Sequence, residues 1–109
     1  MDSIMPTEWD TCYICGCFLN DWNREEHHIF FGRKNRRISE QEGMKVFLCK
    51  ECHRFSRDSV HQNHERDLNL KKDAQTVWEE NYIKSYPYEN HAREAAREAF
   101  RALFGRSYL

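Results

Sequence analysis

The chain has 109 residues, 39% of them hydrophobic, and its 17 Lys and Arg nearly balance 18 Asp and Glu for a formal net charge of −1. That length fits one domain, and an apolar share below the roughly 45–50% usual for globular chains leaves a thin core of the kind a structural metal often supplements. Nothing approaches the ~20 apolar residues of a membrane span and no signal-peptide pattern is present, so an intracellular, cytoplasmic protein with no membrane partner is expected.

Charge is segregated along the chain. Residues 1–23 carry four acids and no Lys or Arg, residues 24–57 carry nine basic and five acidic groups, and residues 58–109 carry eight and nine. The basic excess peaks at Arg33-Lys34-Asn35-Arg36-Arg37, with Lys45, Lys50, Arg54 and Arg57 following. Such a segment attracts phosphates and makes binding salt-dependent.

In chain order, residues 1–23 read as a loop-rich lead carrying Trp9, Trp22 and the pair Cys12-Tyr-Ile-Cys15, with a turn at Asn20-Asp21. The run His28-Ile29-Phe30-Phe31, ended by Gly32, reads as a first strand, and Met44–Leu48 alternates well enough for a second. Between them the basic segment, with Asn35, Ser39 and Gly43, reads as the irregular connection of a long hairpin. Helical composition begins after Cys52. Leu70, Ala74, Val77, Trp78 and Tyr82 then mark an amphipathic helix over residues 65–82, with Lys71, Lys72, Asp73 and Gln75 on its other side. Tyr86-Pro87-Tyr88 breaks it. A second helix follows from Ala92 through Phe104, its stripe of Ala92, Ala95, Ala96, Ala99, Phe100, Leu103 and Phe104 facing the core or, alternatively, a partner or dimer, and Gly105 stops it.

Two Cys-x-x-Cys pairs, Cys12/Cys15 and Cys49/Cys52, stand about 30 residues apart, the spacing at which two knuckles close a tetrahedral S4 shell around structural Zn²⁺. An odd cysteine count in a reducing compartment argues against a disulfide framework. Cys17 is the spare thiol, an alternative to Cys15 in the shell, although Cys15-Gly16 makes the better knuckle turn.

The histidines are then left for other work. His27 and His28 lie between the pairs, and His53 directly follows the second. A straight helix would carry His61 about 12 Å from His53 at 1.5 Å per residue. A turn near Ser56 to Ser59 would return His61 as a third ligand or phosphate contact, with Asp58 an oxygen donor under the same turn. His64 reads as exposed.

The runs HHIFFGRKNRR and LCKECH, with both Cys-x-x-Cys pairs, resemble the zinc-containing branch of the HNH, or ββα-metal, nucleases over roughly residues 12–64. They look like the small HNH proteins of phages and prophages, and the ending FGRSYL is similar to tails of that group. The resemblance implies an α+β fold: a zinc-stabilised ββα-metal core over 12–64 with two additional C-terminal helices over 65–109, in a bacterial or phage-infected cell. It implies His28 as general base, His27 and His53 as ligands of a catalytic cation, and Cys12, Cys15, Cys49 and Cys52 as structural zinc ligands. Arg33, Lys34, Arg36, Arg37, Arg54 and Arg57 would meet the nucleic-acid backbone, with DNA the expected polymer.

Two positions depart from that pattern. His27 stands where many members carry an acid, and Met44 stands where an asparagine precedes the third cysteine. Imidazole suits Mn²⁺, Ni²⁺, Co²⁺ or Zn²⁺ better than Mg²⁺, and Asn35 is a candidate substitute for the asparagine. The alternative of a different class is a non-catalytic zinc-binding module that binds nucleic acid or a protein partner, as a phage recombination or anti-defence accessory.

Overall fold

Two five-residue strands, β1 (Arg24–His28) and β2 (Lys45–Cys49), pair antiparallel in the computed structural model, which describes residues 1–109. The register sets Arg24 opposite Cys49, His27 opposite Val46 and His28 opposite Lys45. The first strand lies earlier than residues 28–31. Its sequence REEHH has no apolar residue, so no alternation marks it, whereas the apolar Ile29 and Phe30 beyond it form a fully buried plug. Ile29 N–H still donates to Met44 C=O at 3.0 Å, and buried Ser39 then takes over, donating its Oγ–H to Phe30 C=O at 2.8 Å and accepting from Phe30 N–H at 3.1 Å.

The segment expected as an irregular connection is a helix, α1 (Arg33–Glu42). Arg, Lys, Gln and Glu lose little rotamer freedom in a helix, and glycines bound it at both ends. Gly43 at φ 71° closes it, sending its N–H to Ser39 C=O. A Cβ at Gly43 would also run into the Asp2 carbonyl, which is why the lead can pass over this corner.

After β2 comes a short π-helical turn, Glu51–Phe55, and the chain is then non-helical until α2 (His64–Ser85), so of a straight helix and a turn between His53 and His61 it is the turn that forms. Asn63 caps α2, its side chain accepting from Arg66 N–H at 3.0 Å. The last helix, α3 (Ala92–Phe104), ends at Gly105 in the left-handed conformation, as its stripe predicts.

Ala96, Phe100 and Phe104 from α3 are buried in the chain's own core with Ile29, Phe30, Met44, Leu48, Val60, Leu70 and Ala74. Phe30 lies 4.4 Å from Phe104 and 5.6 Å from Phe100 between ring centroids. Burying one such side chain contributes about 1.5–3 kcal/mol. Gln75, expected on the polar side of α2, is instead fully buried together with Glu79, because α3 covers that side. Gln75 Nε2 donates to Glu79 at 2.7 Å and to Ser107 at 3.0 Å, and Gln75 Oε1 accepts from Tyr108 N–H at 2.7 Å, which fastens the C-terminal residues to α2. No helix is long and apolar enough to cross a membrane.

Candidate metal centres

Strand alternation sorts REEHH into two faces. Glu25 and His27 point to one side, Glu26 and His28 to the other, and each side builds a different cluster.

On the first side His27, only 2% exposed, meets His53 and His61 with ring centroids 5.0 and 5.1 Å away. His53 and His61 approach until their Nε2 atoms are 3.0 Å apart. One ligand atom from each of the three histidines lies within 4.8 Å of the others. His61 arrives there by a turn at the anticipated place: Ser59 N–H donates to Ser56 C=O at 3.0 Å, Val60 N–H to Cys52 C=O at 2.9 Å, and His61 N–H to His53 C=O at 3.3 Å.

The orientation of His53 follows from its partner. Its Nδ1 is 2.7 Å from Glu25 Oε1, and an ionised carboxylate only accepts, so Nδ1–H donates and Nε2 is the nitrogen that faces the cluster. Glu25 is itself gripped by Arg54, through Nε at 2.9 Å and Nη2 at 2.7 Å. The Arg54 bonds lead in holding its carboxyl down to about 2, against the opposing effect of burial and with help from His53. Burial, reinforced by His53, His61, His28 and Lys71, pushes His27 down to about 3, and burial with His53 likewise lowers His61. Both shifts favour the neutral ring, the form that donates a lone pair, at His27 and His61.

His27 Nε2 is buried with no hydrogen-bond partner. A buried polar atom left so costs about 1–3 kcal/mol, and a cation bound by the three imidazoles would satisfy it. The donor set, three nitrogens with a carboxylate behind one of them, suits a transition-metal ion. Phe31 walls the cluster at 5.0 Å from His61 and 5.9 Å from His27, and Lys71 Nζ sits 4.3 Å over the Phe31 ring.

On the other side the His28 side chain is 9% exposed, and its Nε2 lies 3.1 Å from Glu40 Oε1 and 3.6 Å from Glu26 Oε1. Nε2–H therefore donates, and Nδ1 is the nitrogen not held by a carboxylate. Lys45 Nζ at 2.7 Å and the N-terminal amine at 3.3 Å fix Glu40, and Lys45, then His28, hold its carboxyl down to about 2. Glu26, His28 and Glu40 also bring ligand atoms within 4.8 Å of one another, but the Lys45 ammonium already compensates the two acids. The arrangement is an oriented imidazole. Beside it runs a groove lined by His28, Arg33, Arg36, Arg37, Glu40 and Gln41.

The thiols converge at a third place. Cys12, Cys15, Cys17 and Cys49 have sulfurs mutually within 4.8 Å, a group that could hold a metal ion such as zinc. Cys17, expected to be the spare, belongs to this group, because Cys12 N–H donates to Cys17 C=O at 2.9 Å and closes the loop on itself. Cys52, expected in the shell, falls outside that mutual group but sits beside it, its N–H 3.4 Å from Cys49 Sγ.

Other expected contacts are placed less favourably. Arg54 is engaged by Glu25. Arg57 is exposed, as are His64 and Asp58, neither of which joins the three imidazoles, and Asp58 instead accepts from Asn63 Nδ2 at 3.5 Å. Asn35 lies in the first turn of α1 and makes no side-chain bond to His28, whose bracing partner is Glu40. Sequence reasoning misses Glu25, Glu40 and Phe31 as site residues. Glu25 is readable in principle, two residues before His27 and so on its face; Glu40 is hidden because its helix is polar almost throughout and has no apolar stripe to mark it. Comparison with protein-family models, curated proteins and solved structures gave no match.

Proposed function

We propose that the chain is a metal-dependent endonuclease of the HNH kind, hydrolysing phosphodiester bonds of nucleic acid, with DNA the expected substrate. The observation that carries the reading is the convergence of His27, His53 and His61 around the partnerless Nε2 of His27, with an oriented His28 as the very next residue on the strand.

Hydrolysis needs a base for the attacking water on one side of the phosphorus and relief of negative charge on the other. Consecutive residues on opposite faces of β1 suit that in-line demand. His28 Nδ1 takes the proton from water, while Glu40 and Glu26 at Nε2 stabilise the imidazolium that forms. Arg33, Arg36 and Arg37 beside His28 hold the phosphate backbone with little sequence readout. His27, His53 and His61 would hold a divalent cation, which would supply charge compensation for the phosphoryl and leaving oxygens. Mn²⁺, Ni²⁺ or Zn²⁺ suit the nitrogen donors better than Mg²⁺. Zinc in the cysteine cluster supports the fold around them.

Plasmid nicking tests this. Purified protein with Mn²⁺ or Ni²⁺ is expected to nick supercoiled DNA, and His28→Ala to abolish nicking while keeping fold and zinc. Cleavage persisting in that variant removes His28 from its role, and an unaltered protein inert with every one of these ions on DNA and RNA overturns the activity.

A second reading, a non-catalytic zinc-binding module for nucleic acid or a protein partner, is favoured by one observation: Trp9, Phe18 and Trp22 are 62%, 72% and 84% exposed around the first cysteine pair. That reading predicts no nicking with any ion and partner binding lost on Trp22→Ala.

A further inference from the structure

A tetrahedral zinc ion takes four thiolates, and this fold brings five thiols to one place. From the lead, a tight loop carries three. Gly16 at φ 75° lets the chain reverse, Gly16 N–H donates to Cys12 C=O at 2.9 Å, Cys12 N–H donates to Cys17 C=O at 2.9 Å, and a bridge between Thr11 and Phe18 closes the base. Cys17 is thereby returned to the side of Cys12.

From the opposite side, the end of β2 and the π-helical turn deliver Cys49 and Cys52, with Cys15 Sγ 3.8 Å from Cys49 Sγ. The Cys17 sulfur lies within 4.8 Å of those of Cys12, Cys15 and Cys49. The Cys52 thiol stands outside that group but beside it, its backbone N–H 3.4 Å from Cys49 Sγ. One tetrad is complete with Cys17, and Cys52, next to Cys49, is the remaining thiol that could replace Cys17 against the trio Cys12, Cys15 and Cys49. No acid or histidine competes for the fourth place in this group. Cys17 is exposed, and Cys52, packed beside the core, is only partly buried, so each keeps some access to solvent.

We propose that Cys17 and Cys52 alternate as the fourth ligand of one zinc ion, so that the protein holds its metal with four of five cysteines and always presents one uncoordinated thiol at the surface. This rests on the reading that the cysteine cluster binds zinc, and is independent of nuclease activity. Its consequence is a zinc site that survives modification of either Cys17 or Cys52, since the other closes the shell.

Limited maleimide labelling of the zinc-loaded, folded protein, with native mass spectrometry for zinc and label and peptide mapping for position, tests it. The expected result is one label per chain with zinc retained, divided between Cys17 and Cys52 across the population. Cys17→Ser and Cys52→Ser should each keep tight metal and the absorption of an all-sulfur site when loaded with Co²⁺, and each should lose the labelling. The double variant should show a three-sulfur spectrum. Label confined to one of the two positions overturns alternation even if no variant folds, as does loss of the all-sulfur spectrum in only one single variant. A protein with no bound zinc overturns both this inference and the zinc reading beneath it, while nicking remains to be judged by its own assay.

Discussion

Glu25 holds His53 through a 2.7 Å bond from the ring Nδ1, and it does so from the same strand face that carries His27, two residues on. The carboxylate therefore sets which nitrogen of His53 is free and aims it toward His27 and His61. Carboxylate partners of this kind commonly account for about 10–100-fold in metal affinity.

Glu25→Ala is accordingly expected to weaken binding of the imidazole-held cation by roughly 10–100-fold, measured by Mn²⁺ or Ni²⁺ titration calorimetry. Zinc in the thiol cluster should be unchanged. Unaltered affinity for the labile ion would show that Glu25 has no part in orienting the ligand.

The α1 arginines and Arg54 should behave differently although all are basic. Replacing Arg33, Arg36 and Arg37 together with Ala should lower DNA affinity and flatten its salt dependence, by about 0.9 in log–log slope for each phosphate no longer neutralised. Arg54→Ala, which frees Glu25 rather than a phosphate, should leave that slope alone and weaken the labile metal instead. Fluorescence anisotropy over a salt series separates the two outcomes, and an equal slope change for Arg54 would contradict the assignment.

Much of this arrangement is legible in the amino-acid order, where a residue type has few other uses. The convergence of the two cysteine pairs, the two C-terminal helices and the opposite facing of His27 and His28 rest on spacing and alternation, which backbone geometry enforces directly. The return of His61 depends on a turn at Ser56 to Ser59 whose possibility is visible in the sequence but whose occurrence is not. What stays hidden lies in polar segments. REEHH has no apolar member to betray a strand, and α1 lacks an apolar stripe to betray a helix, since of its ten residues only Ser39 is buried. Gln75 and Glu79 are hidden for a complementary reason: their burial is created by α3 and its arginines, which no local window contains.

That buried carboxylate gives the fold a pH dependence. Glu79 has a fully buried side chain, bonded by Arg97 Nε at 2.8 Å and Gln75 Nε2 at 2.7 Å, with Arg93 Nη1 at 3.6 Å. Burial alone would raise its pKa, but the bonds to Arg97 and Gln75 and the charges of Arg97 and Arg93 lower it on balance. A depressed folded pKa makes this contribution complete above the ordinary carboxylate range near about 4.3 and lost as pH falls through the folded value. Glu79→Ala should therefore destabilise by about 2 kcal/mol at neutral pH, with the difference shrinking under acid, measured by urea unfolding between neutral and acid pH. A penalty that does not shrink would mean packing, rather than charge, is what Glu79 supplies.

Metal counting tests the central claim, that imidazoles from β1, the π-helical turn and the following loop form a cation site separate from the thiols. Elemental analysis of the protein loaded with Mn²⁺ or Ni²⁺, before and after EDTA dialysis, should give one retained zinc and one labile ion. His27→Ala, His53→Ala and His61→Ala should each lose only the labile ion, and Cys49→Ser should lose the zinc. A single ion in the unaltered protein, or a labile ion indifferent to all three histidine substitutions, would contradict it.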